Sequence, residues 1–401
     1  MDTLETLVQE IELENKREEA SDPAVKKMLG VVEEFLKHHR VMCYGGTAIN
    51  NLLPKSEQFY DSSTEIPDYD FFSETPQQHA MMIADQLVKL NLPNIEVKPG
   101  MHLGTFKVFA DFHGIADITH MDKPIFEKLW KENVVHGGIH YVTPNFLRMS
   151  MYLELSRPKG DVSRWKKVYT RLQLLNKHHP MTCPGNFPLP KDLEERTKKD
   201  VIRMLKHHDV ILMGFSAASQ HAEKTVWVTP VVLLANKDTI ETLTKGKKVT
   251  VKEGSEILPT RHDVVEHGDV TMSFYETQAC HSYHMTRDRI KVASIPTLLQ
   301  FFFAYLYTDA HADEVSRILC VADRLVELAT HDKGRTFPLL TPRECLGHQE
   351  TLIEMKKHRS EVFKQVSKDR SSPDFMRSFF SYVPPLSKTE KNNLTKRVHK
   401  L

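Results

Sequence analysis

Val41-Met42-Cys43-Tyr44-Gly45-Gly46-Thr47-Ala48-Ile49-Asn50-Asn51-Leu52-Leu53 and, after a polar loop, Ile66-Pro67-Asp68-Tyr69-Asp70-Phe71-Phe72-Ser73 are the stretches that decide the fold. The first is a short apolar run that stops at two glycines and passes into a helix-like segment, so it reads as strand, tight turn, helix. The second reads as a strand in which Asp68 and Asp70, two residues apart, face one side while Tyr69 faces the other. Two anions side by side are unfavourable unless cations lie between them. A third acid, Asp117, sits in the later apolar run Ile115-Ala116-Asp117-Ile118, where a neighbouring strand could bring it to the pair. Three carboxylates at one sheet edge are what hard divalent cations such as Mg2+ or Mn2+ require, and two such ions suit in-line phosphoryl transfer. Gly45, Gly46 and Thr47, opening a helix, offer close backbone approach and unpaired N–H groups to a phosphate. A Gly-Gly turn is usually only a turn, and Asp-x-Asp is common on solvated loops; the ordered combination is far more specific than either part.

Outward from this centre, Leu4, Leu7, Val8 and Ile11 and then Val25, Met28, Val32, Phe35 and Leu36 predict two amphipathic helices, the second capped by Asp22 with Pro23 at its first position. Thr75-Pro76 starts a helix with Ala80, Ile83 and Leu87 on one face; strand-like runs follow at 105–110 and 115–118, then helices from Pro144 and Asp161. The expected class is α+β, a mixed sheet with flanking helices. A second block echoes the first. Residues 36–50 laid over 205–219 agree at seven of fifteen positions, and the order strand, Pro-opened helix recurs at Tyr141–Pro144 and Ala293–Pro296. This predicts a duplicated fold whose second copy is degenerate. In it Phe215 replaces the second glycine, Pro230-Val231-Val232-Leu233-Leu234 replaces the acidic strand, and Ala279-Cys280 is the expected counterpart of Ala116-Asp117. The division expected is 1–40, N-terminal helices; 41–185, the acid-bearing domain; 186–345, its degenerate copy; and 346–401, a helix and a basic tail with frayed ends. The apolar helix around 298–307 predicts deep burial or an interface.

The 401 residues, 40% of them apolar, are enough for a core in each copy. With 54 Lys+Arg against 53 Asp+Glu, attraction to a polyanion must come from local basic faces. Five scattered cysteines without a CxxC pair read as reduced thiols. The N-terminus is acidic and no apolar run reaches bilayer length, which points to a cytoplasmic protein without membrane contact.

Tyr44-Gly45-Gly46, Asp68-Tyr69-Asp70 and Asp117, in that order, resemble the DNA-polymerase-β-like nucleotidyltransferase superfamily. More closely, residues 44–54, 66–73, Met151–Asp161 and Arg164-Trp165-Lys166-Lys167-Val168-Tyr169 are similar to poly(A) polymerase catalytic subunits of large cytoplasmic DNA viruses, the poxvirus and giant-virus type. The likeness covers roughly 36–180. It implies that Asp68, Asp70 and Asp117 hold two Mg2+ or Mn2+ ions, and that Gly45 and Gly46 hold the incoming nucleotide. ATP would be the donor and an RNA 3′ end the acceptor, with a homodimer or a viral processivity subunit as further partner. The residues alone reach only a nucleoside triphosphate. UMP or CMP addition, a small acceptor, and an inactive RNA-binding scaffold are the alternatives.

Arg164, Lys167 and Arg171 form a cationic stripe opposite Val168, Leu172 and Leu175, so Arg164 and Lys167 are candidate phosphate contacts; Arg148, Ser150 and Arg157 are weaker ones. Lys245, Lys247, Lys248 and Lys252, and Lys388, Lys391, Lys396, Arg397 and Lys400 in the tail, are candidate RNA-backbone contacts, and a solvated face is the bland reading of each group. Adjacent histidine pairs lack chelate geometry, and no Walker A or GxGxxG sequence is present.

Overall fold

A computed structural model describes residues 2–401 apart from 62, 65, 186–189, 223–224, 278, 309–311, 332–335 and 386–387. Residues 186–189 of the Pro-rich stretch 184–190, after which the second block is expected to begin, thus lie outside the described residues. The chain divides into two compact units, Met1–Thr143 with Leu352–Leu401, and Pro144–Thr351.

The first unit begins with α1 (Asp2–Ser21), whose Leu4, Leu7, Val8 and Ile11 are exposed, and α2 (Pro23–His38), whose Val25, Met28, Val32, Phe35 and Leu36 are buried. Asp22 Oδ1 accepts from Ala24 N at 2.6 Å, which satisfies one of the free amides at the start of α2. Next come β1 (Met42–Cys43), α3 (Gly45–Leu52), β2 (Tyr69–Ser73) and α4 (Pro76–Lys89). They are followed by β3 (Glu96–Pro99), β4 (Thr105–Ala110), β5 (His113–His120), α5 (Lys123–Glu132), β6 (Val134–His136) and β7 (Ile139–Tyr141). The strands form one mixed sheet in the order β3-β4-β5-β2-β1-β7-β6. Its centre is apolar because Phe71, Phe106, Val108, Ile115 and Ile118 are fully buried, and that burial is the main force holding β2 against β5.

The second unit runs α6 (Pro144–Leu155), α7 (Trp165–His178), α8 (Glu195–His207), β8 (Val210–Leu212), α9 (Gly214–Gln220), β9 (Val231–Ala235) and α10 (Lys237–Thr244). It continues with β10 (Val249–Lys252), β11 (Arg261–Glu266), β12 (Asp269–Glu276), β13 (His281–Met285), β14 (Lys291–Ala293), α11 (Ile295–Leu306), α12 (Ala312–Thr330) and β15 (Cys345–Leu346). The sheet order is β10-β11-β12-β9-β8-β14-β13-β15, the first sheet's order strand for strand with β15 added. Matching pairs also run in the same sense: β1 with β2 and β8 with β9 are antiparallel, while β2 with β5 and β9 with β12 are parallel. The duplication expected from the echo is therefore present in the fold. Every residue from Ile295 to Ala304 of α11 is buried, so the apolar helix is a core helix of its own unit.

Three expectations fail. The C-terminal segment, α13 (Leu352–Val366), α14 (Pro373–Phe379) and α15 (Lys388–Val398), is docked on the first unit. Tyr382 bridges Val97 with backbone hydrogen bonds of 2.7 and 3.1 Å, Val398 is buried, and the Lys391 ammonium pairs with Asp85. Four cysteines are paired, Cys183 with Cys320 and Cys280 with Cys345, and only Cys43 is a free thiol. Arg148 is buried in the second unit, donating from Nε to Asn176 Oδ1 at 2.7 Å, from Nη1 to Asn145 Oδ1 at 2.8 Å and from Nη2 to the His179 carbonyl. It ties α6 to α7, and burial lowers its guanidinium to about 10. Ser150 donates to Phe146 O at 3.3 Å within α6.

Candidate active site

Asp70 on β2 and Asp117 on β5 are direct partners in the parallel pairing. In a parallel ladder, partners point to the same face, and adjacent strands lie about 4.8 Å apart, so the two carboxylates stand side by side. Asp68 precedes β2 by one residue and is exposed, so it lies at the strand's entry and not within it. Its carboxyl is raised above the ordinary carboxylate value by desolvation and then by the negative charge of Asp117, with Lys107 opposing. The charge of Asp117 acts on Asp68 after desolvation, and Asp68 stands two residues before Asp70, so the acids are grouped at the start of β2.

The glycine turn closes onto this cluster. Gly45 has φ +72°, a left-handed conformation, and a Cβ there would stand 2.6 Å from Asp70 Oδ2. Only glycine lets the start of α3 come this close to the carboxylate. The turn is held from both sides: Tyr44 N donates to Asp70 O at 2.9 Å, and the Tyr44 ring stacks on Phe72 with centroids 4.0 Å apart. The Tyr44 hydroxyl and Thr119 Oγ1 share a hydrogen bond of 2.9 Å. Burial, then Asp70, pushes this phenol above its ordinary value, and Asp117 and Asp68 add to the rise. Gly46 continues the first turn of α3, and Thr47, buried, donates its hydroxyl to Asp68 O at 2.7 Å. Thr47 thus fixes the chain just ahead of the acidic strand.

Two residues at this site were missed by sequence reasoning. Lys107 on β4 lies opposite Asp117 in the antiparallel register, and its ammonium forms an ion pair with Asp117 Oδ2. Asn50 Oδ1 accepts from both Phe59 N and Tyr60 N at 2.9 Å, pinning the polar loop to α3. The alternation of β4 marked position 107 as an outward polar one, but nothing in the sequence gave its register with Asp117.

Arg164 and Lys167 belong to the second unit, at the end of a 3-10 turn and the start of α7. Both are exposed, and Arg164 Nε pairs with Glu154 at 3.1 Å. Lys245, Lys247, Lys248 and Lys252 are exposed around β10.

Register corrects the assignment of the degenerate copy. Met213 N donates to Val232 O at 2.8 Å, the counterpart of Tyr44 N to Asp70 O, and Gly214 has φ +62° like Gly45. Val232 then pairs with Ser273, as Asp70 pairs with Asp117. The counterparts of Asp68, Asp70 and Asp117 are therefore Pro230, Val232 and Ser273, not Ala279-Cys280 for the last. Asp263 stands opposite Ser273 where Lys107 stands opposite Asp117, so lysine has given way to an acid and the third aspartate to a serine.

Residues 30–161 match the profile of the family described as poly(A) polymerase catalytic subunit. A protein of African swine fever virus (isolate Pig/Kenya/KEN-50/1950), named as a poly(A) polymerase catalytic subunit, is 28% identical over 189 residues, which are 45% of this chain and 38% of that protein. A protein of Acanthamoeba polyphaga mimivirus with the same name is 26% identical over 175 residues, 42% of this chain and 30% of that one. The matches thus span less than two-fifths of the length of these relatives. The crystal structure of the Megavirus polyadenylate synthase superposes with a TM-score of 0.82 over 100% of this chain and 88% of that one, at 17% identity. Among the described residues no helix is long and apolar enough to cross a membrane. Residues 30–161 are thus similar to poly(A) polymerase catalytic subunits, and over its whole length the chain has the fold seen in the Megavirus polyadenylate synthase.

Proposed function

We propose that this chain is a template-independent nucleotidyltransferase that moves AMP from ATP to the 3′ end of RNA. The observation that carries the reading is the in-register pairing of Asp70 with Asp117 beside Gly45, with Asp68 one residue ahead of the same strand. A donor set of carboxylates brought to one edge of the sheet, Asp70 and Asp117 in register, suits two hard divalent cations, Mg2+ or Mn2+. Such ions, when bound, neutralise the triphosphate and activate the attacking hydroxyl. The chain's own part is positional. Asp70 and Asp117, in register, would hold the ions with Asp68; Asp117 would serve the primer hydroxyl; and the amides at the start of α3 would take phosphate oxygens where no Cβ obstructs them. A binding scaffold has no use for three clustered anions next to a polyanion, which disfavours that reading. The choice of adenine comes from the family likeness, not from any contact described above. The test is incubation with a short labelled RNA, Mg2+ or Mn2+, and each nucleoside triphosphate in turn. A ladder with ATP alone is expected; a ladder only with UTP or CTP would replace AMP transfer by the corresponding addition.

Lys107 yields a further expected outcome. Its ammonium compensates Asp117 when no cation is there and competes with one when it arrives. Lys107→Met should therefore lower the melting temperature in EDTA and enlarge the rise produced by Mn2+. An unchanged Mn2+ response in differential scanning fluorimetry would remove Lys107 from the site.

A further inference from the structure

The second unit contains a cavity of about 310 Å³ at the place where its sheet repeats the acidic centre. Gly214, Val232 and Ser273, the counterparts of Gly45, Asp70 and Asp117, all line it. The lining differs from the acidic centre at two of these three positions. With valine and serine in place of two aspartates, the carboxylates left in the wall are those of Asp263 and, at the Arg317 side, Glu314, whose Oε1 lies 3.7 Å from Arg317 Nη2. The first is the one beside Ser273. It is already engaged: Arg261 Nε lies 3.0 Å from Oδ1, and Ser273 Oγ donates to the same oxygen at 2.6 Å. Two carboxylates that each face an arginine do not make the donor set of a pair of divalent ions.

What replaced the acids is aromatic. Phe215, where the first copy has Gly46, lies against Phe302 with ring centroids 5.2 Å apart, and Tyr275 meets Phe301 edge-on at 5.2 Å. Two cations border these rings: the Arg317 guanidinium lies 4.9 Å from the centre of Phe215, and that of Arg261 lies 5.8 Å from the centre of Tyr305. Flat apolar walls, a buried carboxylate that accepts hydrogen bonds and an arginine at the border together favour a planar heterocycle that carries N–H donors and an attached anion. The volume lies at the lower end of small-ligand sites, about 300–1,000 Å³, which admits one nucleotide unit and no more. A close-packed interior does not leave such room without cause.

We propose that this cavity is a metal-independent binding site for one purine nucleoside monophosphate unit, with the base among the rings of Phe215, Phe302 and Tyr275 and the phosphate towards Arg317. The unit has two sources, free AMP or a residue of an RNA strand. The site needs neither Asp68 nor Asp70, so it stands or falls separately from the transferase reading.

The test is equilibrium dialysis of the full chain carrying Asp70→Asn, in EDTA, with labelled AMP in one arm and labelled penta-adenylate in the other. Two further variants are measured beside it. Phe215→Leu keeps an apolar wall but removes the ring, and Val270→Trp places bulk from a residue at the rim, which is 36% exposed. Saturable binding of one equivalent in at least one arm, weakened at least tenfold by both variants, is expected. Binding in the AMP arm assigns the site to free nucleotide, and binding confined to the other arm assigns it to RNA. Absence of saturable binding in both arms, or affinity unchanged by Val270→Trp, overturns the proposal. Should Phe215→Leu melt early, Val270→Trp with an unaltered melting temperature decides the matter.

Discussion

Asp70→Asn is expected to reduce ATP-dependent extension of an RNA primer by about three orders of magnitude or more while leaving the fold intact. The amide has the carboxylate's shape, so the contacts of β2 with β5 survive, but it carries no charge for a divalent ion. Electrostatic stabilisation of a phosphoryl-transfer transition state by such ions is worth several kcal/mol, and each 1.36 kcal/mol is tenfold in rate. Folding should not suffer. Removing an anion next to Asp117 relieves repulsion, so the melting temperature in EDTA should stay level or rise. Full extension activity in this variant would end the mechanism, and a large drop in melting temperature would show that the carboxylate is structural. Single-turnover extension and a thermal melt on the same sample check both.

Gly45→Val carries the second largest expected effect, and it acts by shape. The left-handed φ of +72° costs a side chain with a Cβ roughly 1–2 kcal/mol, more when β-branched. The new Cβ would also stand 2.6 Å from Asp70 Oδ2, so either the carboxylate or the start of α3 must move. Displacement by about 1 Å at a reacting centre can cost a hundredfold. Extension should therefore fall at least a hundredfold, with a melting temperature lowered by a few degrees. Activity near that of the parent would show that the turn does not need to approach Asp70 for catalysis.

Local chemistry made the strand, glycine turn and helix around 41–53 legible, because an apolar run ending in Gly-Gly has few other readings. The strand carrying Asp70 was legible from its apolar, aromatic run, although Asp68 proved to stand one residue before it. Long-range register was not legible. Nothing local pairs Asp117 with Asp70, or Lys107 with Asp117, since both depend on how β5 returns beside β2 after the β3-β4 hairpin. For the same reason a two-residue likeness led to Cys280 where strand pairing leads to Ser273. Arg148 looked like a phosphate ligand because type and spacing do not reveal three oxygen acceptors, one on its own helix and two from α7 and its C-terminal end. The docked tail rests on Val398, Tyr382 and Lys391, too sparse for any periodic signal, and cysteine spacing cannot name pairs 137 and 65 residues apart.

Crystals soaked with Mn2+ and a non-hydrolysable ATP analogue, with anomalous data collected at the manganese edge, would examine the carboxylate cluster most directly. Two peaks bridged by Asp68, Asp70 and Asp117, with phosphate oxygens at the amides of Gly45 and Gly46, are expected. Nucleotide seated elsewhere, or manganese absent from these three side chains at saturating concentration, would contradict the proposed chemistry.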